Sequence, residues 1–177
     1  VKHLLAGEKA LITRFDKSID DRVPQDQLSS IDEPVGLIVL EGWCLGALPQ
    51  KPEALTNAIN ALENEEDVDA VWRNYVNQAL TNEYPALFNL VDELIMLQAP
   101  SFDTVFNWRL EQEQKLVKRL AKEGLNTHSG VMDEQQIRRF ISYFERVTEN
   151  SLQEMPKRAD HLFTLGLSRE ITRYSKN

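Results

Sequence analysis

The chain has 177 residues, 42% of them hydrophobic and 8% aromatic, enough for one domain with a substantial core. Its net charge of -8 disperses 20 Lys and Arg among 28 Asp and Glu, which excludes the clustered basic face that a nucleic-acid binder needs. The single cysteine, Cys44, excludes an intrachain disulfide or a Cys-based zinc site and fits a reducing, cytoplasmic setting, and no apolar run approaches the roughly 20 residues of a membrane span.

Val1 to Leu5 reads as the end of an apolar helix closed by Gly7, so a chain that opens on Val rather than Met reads as a portion of a longer one. Ala10 to Phe15 is a short apolar run expected to be a strand. The polar stretch from Asp16 to Glu33, with Pro24 and Pro34, is expected to be a long loop. Val35 to Leu40 is apolar apart from Gly36, which suits a strand buried on both faces of a parallel sheet and delivering Glu41 at its carboxyl end.

Glu53 is expected to start a helix with Leu55, Ala58, Ile59 and Leu62 at helical spacing. A second helical pattern runs from Asp67 to about Asn82, with Val68, Val71, Trp72, Tyr75, Val76 and Ala79 on the core side, until Pro85 interrupts it. Leu94 to Leu97 predicts a second buried strand, after which Ser101 is placed to cap a long charged helix from Phe102 to about Glu123. Gly124 to Gly130 reads as a loop. Asp133 caps a further helix through Glu154 with Ile137, Phe140, Ile141 and Phe144 inward, and His161 to Leu165 closes as a last strand.

Strands alternating with helices predict an α/β fold, a mainly parallel sheet flanked by helices, with 1–177 as a single domain. Ligands of such sheets gather at the carboxyl ends of the strands, which points to Asp16, Glu41 and the turn from Gln98 to Ser101.

The segments RFDKSIDDR (14–22), LIVLEGWCLGA (37–47) and LIMLQAPSFDTVFNWRLEQEQKL (94–116) resemble the D-glycerate 3-kinase group of P-loop kinases. Its wider relatives are the uridine kinase and pantothenate kinase type enzymes. The resemblance covers nearly the whole chain, and EGWCLG together with the FNWRLEQE helix is its most specific part. At the first motif the uridine kinase type has Pro where this chain has Thr13 and Tyr where it has Phe15. The resemblance implies a P-loop NTPase-type sheet and transfer of the γ-phosphoryl of ATP, with Mg2+, to a hydroxyl of a small hydroxy-acid such as D-glycerate. It also implies a Walker A loop, G-x-x-x-x-G-K-[ST], which these 177 residues do not contain. The P-loop strand is therefore expected to precede Val1, and this portion alone is expected to be inactive, with a homo-oligomer covering the open edge.

In the resemblance Asp16 takes the acceptor's hydroxyls, and the guanidinium of Arg22 neutralises an acidic acceptor or the moving phosphoryl. Glu41 sits where a strand-end carboxylate holds Mg2+ through water or orients the acceptor, with Trp43 beside the substrate. Arg109 lies in a lid-like helical segment, about 101–130, whose arginines close over phosphates. Each has a plainer reading: Asp16 caps a turn, Arg22 pairs with Asp20 or Asp21, Glu41 reaches nearby amides, Trp43 packs, and Arg109 pairs with Glu113 one helical turn on. His3, His128 and His161 have no metal-ligand spacing and read as structural or surface residues. Two alternatives stay open: a non-catalytic α/β interaction module, and a kinase for a nucleoside or pantothenate-like acceptor.

Overall fold

The computed structural model describes residues 2–16, 21–124 and 131–177. The chain, expected as a single domain over 1–177, divides into two compact units, Val1–Glu41 and Gly42–Asn177.

The first unit opens with a one-turn helix, α1 (Lys2–Leu5), stopped by Gly7 at φ 70°, as the sequence predicts. Strand β1 (Ala10–Ile12) pairs antiparallel with β4 (Ser29–Ile31), and β2 (Phe15–Asp16) pairs antiparallel with β3 (Asp21–Arg22). The expected loop over 16–33 is thus built partly of strands, with a 3-10 turn at Gln25–Gln27 behind Pro24. Two- and three-residue ladders give almost no apolar periodicity, which is why the pattern reads as loop.

Val35 to Leu40 corrects the reading of a buried strand. None of these residues is in a strand, and Leu37 and Val39 are 81% and 78% exposed. Their apolarity is real, but a strand exists only through its ladder, and no described residue pairs with this segment.

In the second unit Trp43–Gly46 forms a turn, and Gly46, buried and at φ 74°, suits glycine: a Cβ there would be strained by that φ and would crowd Leu94 Cδ1 at 3.1 Å. The helix expected from Glu53 is split into a 3-10 turn at Pro52–Leu55 and a short α2 (Ala61–Glu66), because Asn60 takes an extended conformation and its side chain caps the N–H of Glu63 at 2.9 Å.

Helix α3 (Val71–Asn82) begins four residues later than expected. Asp67 stays outside it and receives the N–H groups of Trp72 (2.8 Å) and Arg73 (3.1 Å), while Ala70 turns the chain at φ 58°. That entry gives the inward positions to Arg73 and Leu80 and turns the expected core stripe outward: Val68, Val71, Trp72 and Tyr75 are 58–70% exposed. A one-turn helix α4 (Pro85–Phe88) follows, with Pro85 at its start.

Strand β5 (Ile95–Gln98) pairs in parallel with β6 (His161–Leu165), and β6 pairs antiparallel with β7 (Ile171–Lys176). The α/β expectation holds, with a small mixed sheet in which β5 and β6 are parallel and β7 is antiparallel. Only one face of β5 is covered: Met96 is buried, whereas Ile95 and Leu97 are 60% and 64% exposed. His161–Leu165 is not the last strand, since β7, exposed along most of its length and with Arg173 and Lys176 among its six residues, carries little apolar signal.

Two long helices are where the sequence puts them. Ser101 accepts from Thr104 N–H at the start of α5 (Phe102–Lys122), and Asp133 forms a capping box with Gln136 at the start of α6 (Glu134–Glu154). Phe106 of α5 packs against Ile137 and Ile141 of α6, and a second cluster joins Met96 of β5 to Met155 and Ala159 beyond α6. The loop expected over 124–130 lies, beyond Gly124, outside the described residues.

Candidate functional site

The first unit holds Asp16, Arg22 and Glu41. Asp16 ends β2 opposite Asp21, and Arg22 ends β3 opposite Phe15, so the β2/β3 ladder carries both expected acceptor residues but turns them to opposite faces, Asp16 with Asp21 and Arg22 with Phe15. Asp16 is half-buried and Arg22 exposed. Val23 N–H donates to the Arg14 carbonyl at 2.9 Å and closes the ladder behind them. The plainer pairing of Arg22 with Asp21 is a backbone contact, Arg22 N–H to Asp21 Oδ1 at 2.6 Å, and Asp20 lies outside the described residues. Glu41, exposed, follows the irregular 35–40 segment rather than a strand end.

The second unit holds Trp43 and Arg109, and one aromatic cluster joins them. Trp43 meets Phe144 of α6 edge-on with ring centroids 5.0 Å apart, Phe144 lies 5.1 Å from Phe140, and the Arg109 guanidinium sits 5.8 Å over the Phe140 ring. Trp43 is 55% exposed, so one side of its ring remains open. Arg109 forms the i,i+4 pair of the plainer reading, its Nη1 donating to Glu113 at 2.5 Å. Glu113 is 3% exposed and also accepts Met132 N–H at 2.8 Å. Arg109 is therefore the counter-ion of a buried carboxylate that ties α5 to the start of α6.

At the Gln98–Ser101 turn, Ser101 serves the cap of α5, and Thr164 donates to Gln98 Oε1 at 3.4 Å. Cys44 is half-buried beside Tyr84, and burial pushes its thiol up, away from the thiolate a nucleophile needs. His3 pairs with Glu8, His161 bridges Glu93 and the Tyr174 hydroxyl, and His128 lies outside the described residues. Among the described residues no three His, Cys, Asp or Glu side chains gather to hold a metal, and no helix is long and apolar enough to cross a membrane.

A second constellation escapes the sequence reading. Arg146 of α6 donates from Nε and Nη2 to Glu63 at 2.7 and 2.6 Å, and its remaining N–H groups reach Gln50, the Ala54 carbonyl and the Asn57 carbonyl. Arg73 donates to the Leu55 carbonyl and to Asp67. Burial alone would raise the Glu63 and Asp67 carboxyls. For Glu63 the Arg146 guanidinium outweighs it, for Asp67 the Trp72 and Arg73 N–H groups and then the Arg73 charge, and both carboxyls titrate below their ordinary range. Charged residues inside apolar helical patterns, as at LENEED and VWRNYV, are the only signal that the sequence offers.

No protein-family model matches the chain. It is 26% identical over 150 residues, 78% of this chain and 48% of the relative, to the Schizosaccharomyces pombe protein named "Uncharacterized kinase mug58". The chain thus spans about half the length of that curated relative. Among solved structures, a D-glycerate 3-kinase from Cryptococcus neoformans superposes with a TM-score of 0.73 at 20% identity, over 99% of this chain and 65% of that one. The YGR205w protein superposes at 0.62 and 22% identity, over 96% of this chain and 58% of its own. The chain therefore takes the α/β fold of the D-glycerate 3-kinase-like kinases.

Proposed function

We infer that the whole protein to which this chain belongs is an ATP- and Mg2+-dependent kinase that phosphorylates a hydroxyl of a small hydroxy-acid, D-glycerate before others. The observation that carries this reading is the likeness over 99% of the chain to a D-glycerate 3-kinase, joined to the motifs RFDKSIDDR and LIVLEGW. Arg22, exposed on β3, would offer the acceptor's carboxylate a fork of N–H donors, and Asp16, at the end of β2 on the other face of the ladder, would accept from an acceptor hydroxyl reaching round that end. Glu41 is an exposed carboxylate, and Mg2+ in kinases needs only one or two such ligands besides phosphate oxygens and water, so the residue fits that ion. In the second unit, taken by itself, Trp43 and Arg109 keep the roles that the resemblance implies, an aromatic contact for substrate and a cation for phosphate, and Arg109 is a positioning residue through Glu113 as well. When bound, ATP and Mg2+ supply the phosphoryl group and shield its charge; the chain's own part is to position and to neutralise.

The test is a coupled assay of ADP release by the full-length protein. Arg22→Ala is expected to lower kcat/KM for D-glycerate by about 100-fold or more, a loss of about 3 kcal/mol, with unchanged thermal unfolding. Absence of glycerate-dependent ADP release would overturn the acceptor assignment, and an Arg22→Ala enzyme with native kcat/KM would remove Arg22 from the site.

A further inference from the structure

A cavity of about 460 Å3 opens in the second unit between α2, α3, α6 and the segment around residues 48–55. Its walls are mainly apolar: Leu55, Leu62, Trp72, Val76, Leu80 and Val147. That volume and composition match sites for small organic ligands, which combine an apolar body with a few fixed polar groups.

The charged groups around it cancel. Glu63 is paired with Arg146 at 2.6 Å, Asp67 with Arg73 at 3.1 Å, and Glu66 with Arg139 at 2.9 Å through Nη2. An anion would gain no net attraction from three carboxylates and three guanidiniums, and a cation would gain none either. Arg146 has spent all its N–H groups on protein acceptors.

Arg73 has not. Its Nε and Nη1 are bonded, but Nη2 donates to no protein acceptor, although the side chain is 5% exposed. Among the described residues the only fully buried side-chain nitrogen or oxygen without a partner is Ser151 Oγ, so Arg73 Nη2 keeps access to solvent, and Arg73 lines the cavity. A guanidinium held rigid by Asp67 and the Leu55 carbonyl, with one nitrogen left over in an apolar chamber, is a fixed donor awaiting an acceptor. The ion pairs also have a physical purpose here. Buried pairs rarely add stability over apolar packing, yet their two guanidiniums tie helices to the chain around residues 54–63, Arg146 of α6 through Glu63 and the Ala54 carbonyl and Arg73 of α3 through the Leu55 carbonyl.

We propose that this cavity is a binding site for an uncharged, mostly apolar small molecule that presents one hydrogen-bond acceptor, a carbonyl or ring nitrogen, to Arg73 Nη2. Such a ligand shares nothing with a small polar hydroxy-acid, so the site is separate from the acceptor site of the proposed kinase and stands whether or not that activity is found.

Prodan, an uncharged naphthalene carrying one ketone, is a suitable probe. Titrated into the full-length protein, it should bind one to one with blue-shifted emission and quench tryptophan fluorescence through Trp72. The same naphthalene without the ketone should bind several-fold more weakly. Val76→Phe on α3 and Val147→Phe on α6 each add bulk to the cavity lining, and each should weaken binding about tenfold or more while circular dichroism shows the native fold. Saturating D-glycerate with ATP should leave binding unchanged. Failure of the native protein to bind the dye saturably would overturn the proposal. So would unaltered binding in both folded variants, which would place the dye on the exposed face of α3, or displacement by D-glycerate, which would merge the cavity with the acceptor site.

Discussion

Residues 1–41 and residues 42–177 carry comparable chemistry on very different scaffolds. In the first unit Asp16 and Arg22 sit on a ladder of two residues per strand, and Leu11, Phe15, Leu37 and Val39 are at least half exposed. In the second, two 21-residue helices with side-chain caps pack around Ile137 and Ile141, and the buried ion pair of Arg146 with Glu63 joins residues 83 apart in sequence. Ladders this short are marginal without further burial, so the local stability of the two units should differ widely. Asp16 and Arg22, expected to meet the acceptor, stand on the weaker scaffold, and Trp43 and Arg109 on the stronger.

The largest effect expected in testing this contrast comes from Arg146→Ala. It leaves Glu63, 9% exposed, without its partner and should cost about 3–5 kcal/mol in denaturant unfolding of the second unit. Amide exchange in β1 and β4 should be as fast as in the native protein; slower or faster exchange there would show that the two units share one cooperative transition.

A smaller, graded effect is expected from acid. Glu63 and Asp67 have folded-state pKa values depressed below their ordinary 4.5 and 3.8, so their stabilisation is complete above those values and is lost as pH falls through the depressed ones. Glu145 has the opposite sign: burial, with Glu149, Glu63 and Asp103 nearby, raises its carboxyl, and protonation there favours the folded state just above pH 4.5. Unfolding free energy should therefore hold or rise slightly towards pH 4.5 and drop below it. Glu63→Gln should flatten the drop, and an unchanged slope would remove that carboxylate from the explanation.

The smallest effect concerns Ala70, whose φ of 58° strains any residue with a Cβ. Ala70→Gly should stabilise the second unit by about 1 kcal/mol, read as a shift of the denaturation midpoint at constant slope. Destabilisation instead would mean that the entry to α3 is not held by the Asp67 cap.

Legibility followed the same divide. Ser101 and Asp133 announce their helices because capping is local chemistry, written within four residues, and His161–Leu165 was readable as a compact apolar run. Val35–Leu40 misled because apolarity marks a wish for burial and says nothing about which partner provides it. On α3 the stripe Val68, Val71, Trp72, Tyr75 fits a core-facing helix, but the tertiary bonds of Arg73 to Asp67 and Leu55 choose the inward face. At the candidate site, Arg109 and Glu113 were visible as an i,i+4 pair, whereas the burial of Glu113 and its bond to Met132, 19 residues on, arise only from the packing of α5 on α6.

The turn between β6 and β7 has an optical consequence. Arg169, held at φ 67°, lays its guanidinium 5.2 Å from the Trp108 ring, while the indole N–H donates to the Leu167 carbonyl at 2.7 Å. A cation over the ring and a hydrogen bond at its edge both tune indole emission, and Trp108 is the immediate neighbour of Arg109. The protein thus carries its own fluorophore at the foot of the expected phosphate-facing arginine, and any ligand that shifts α5 relative to that turn announces itself as a change in colour.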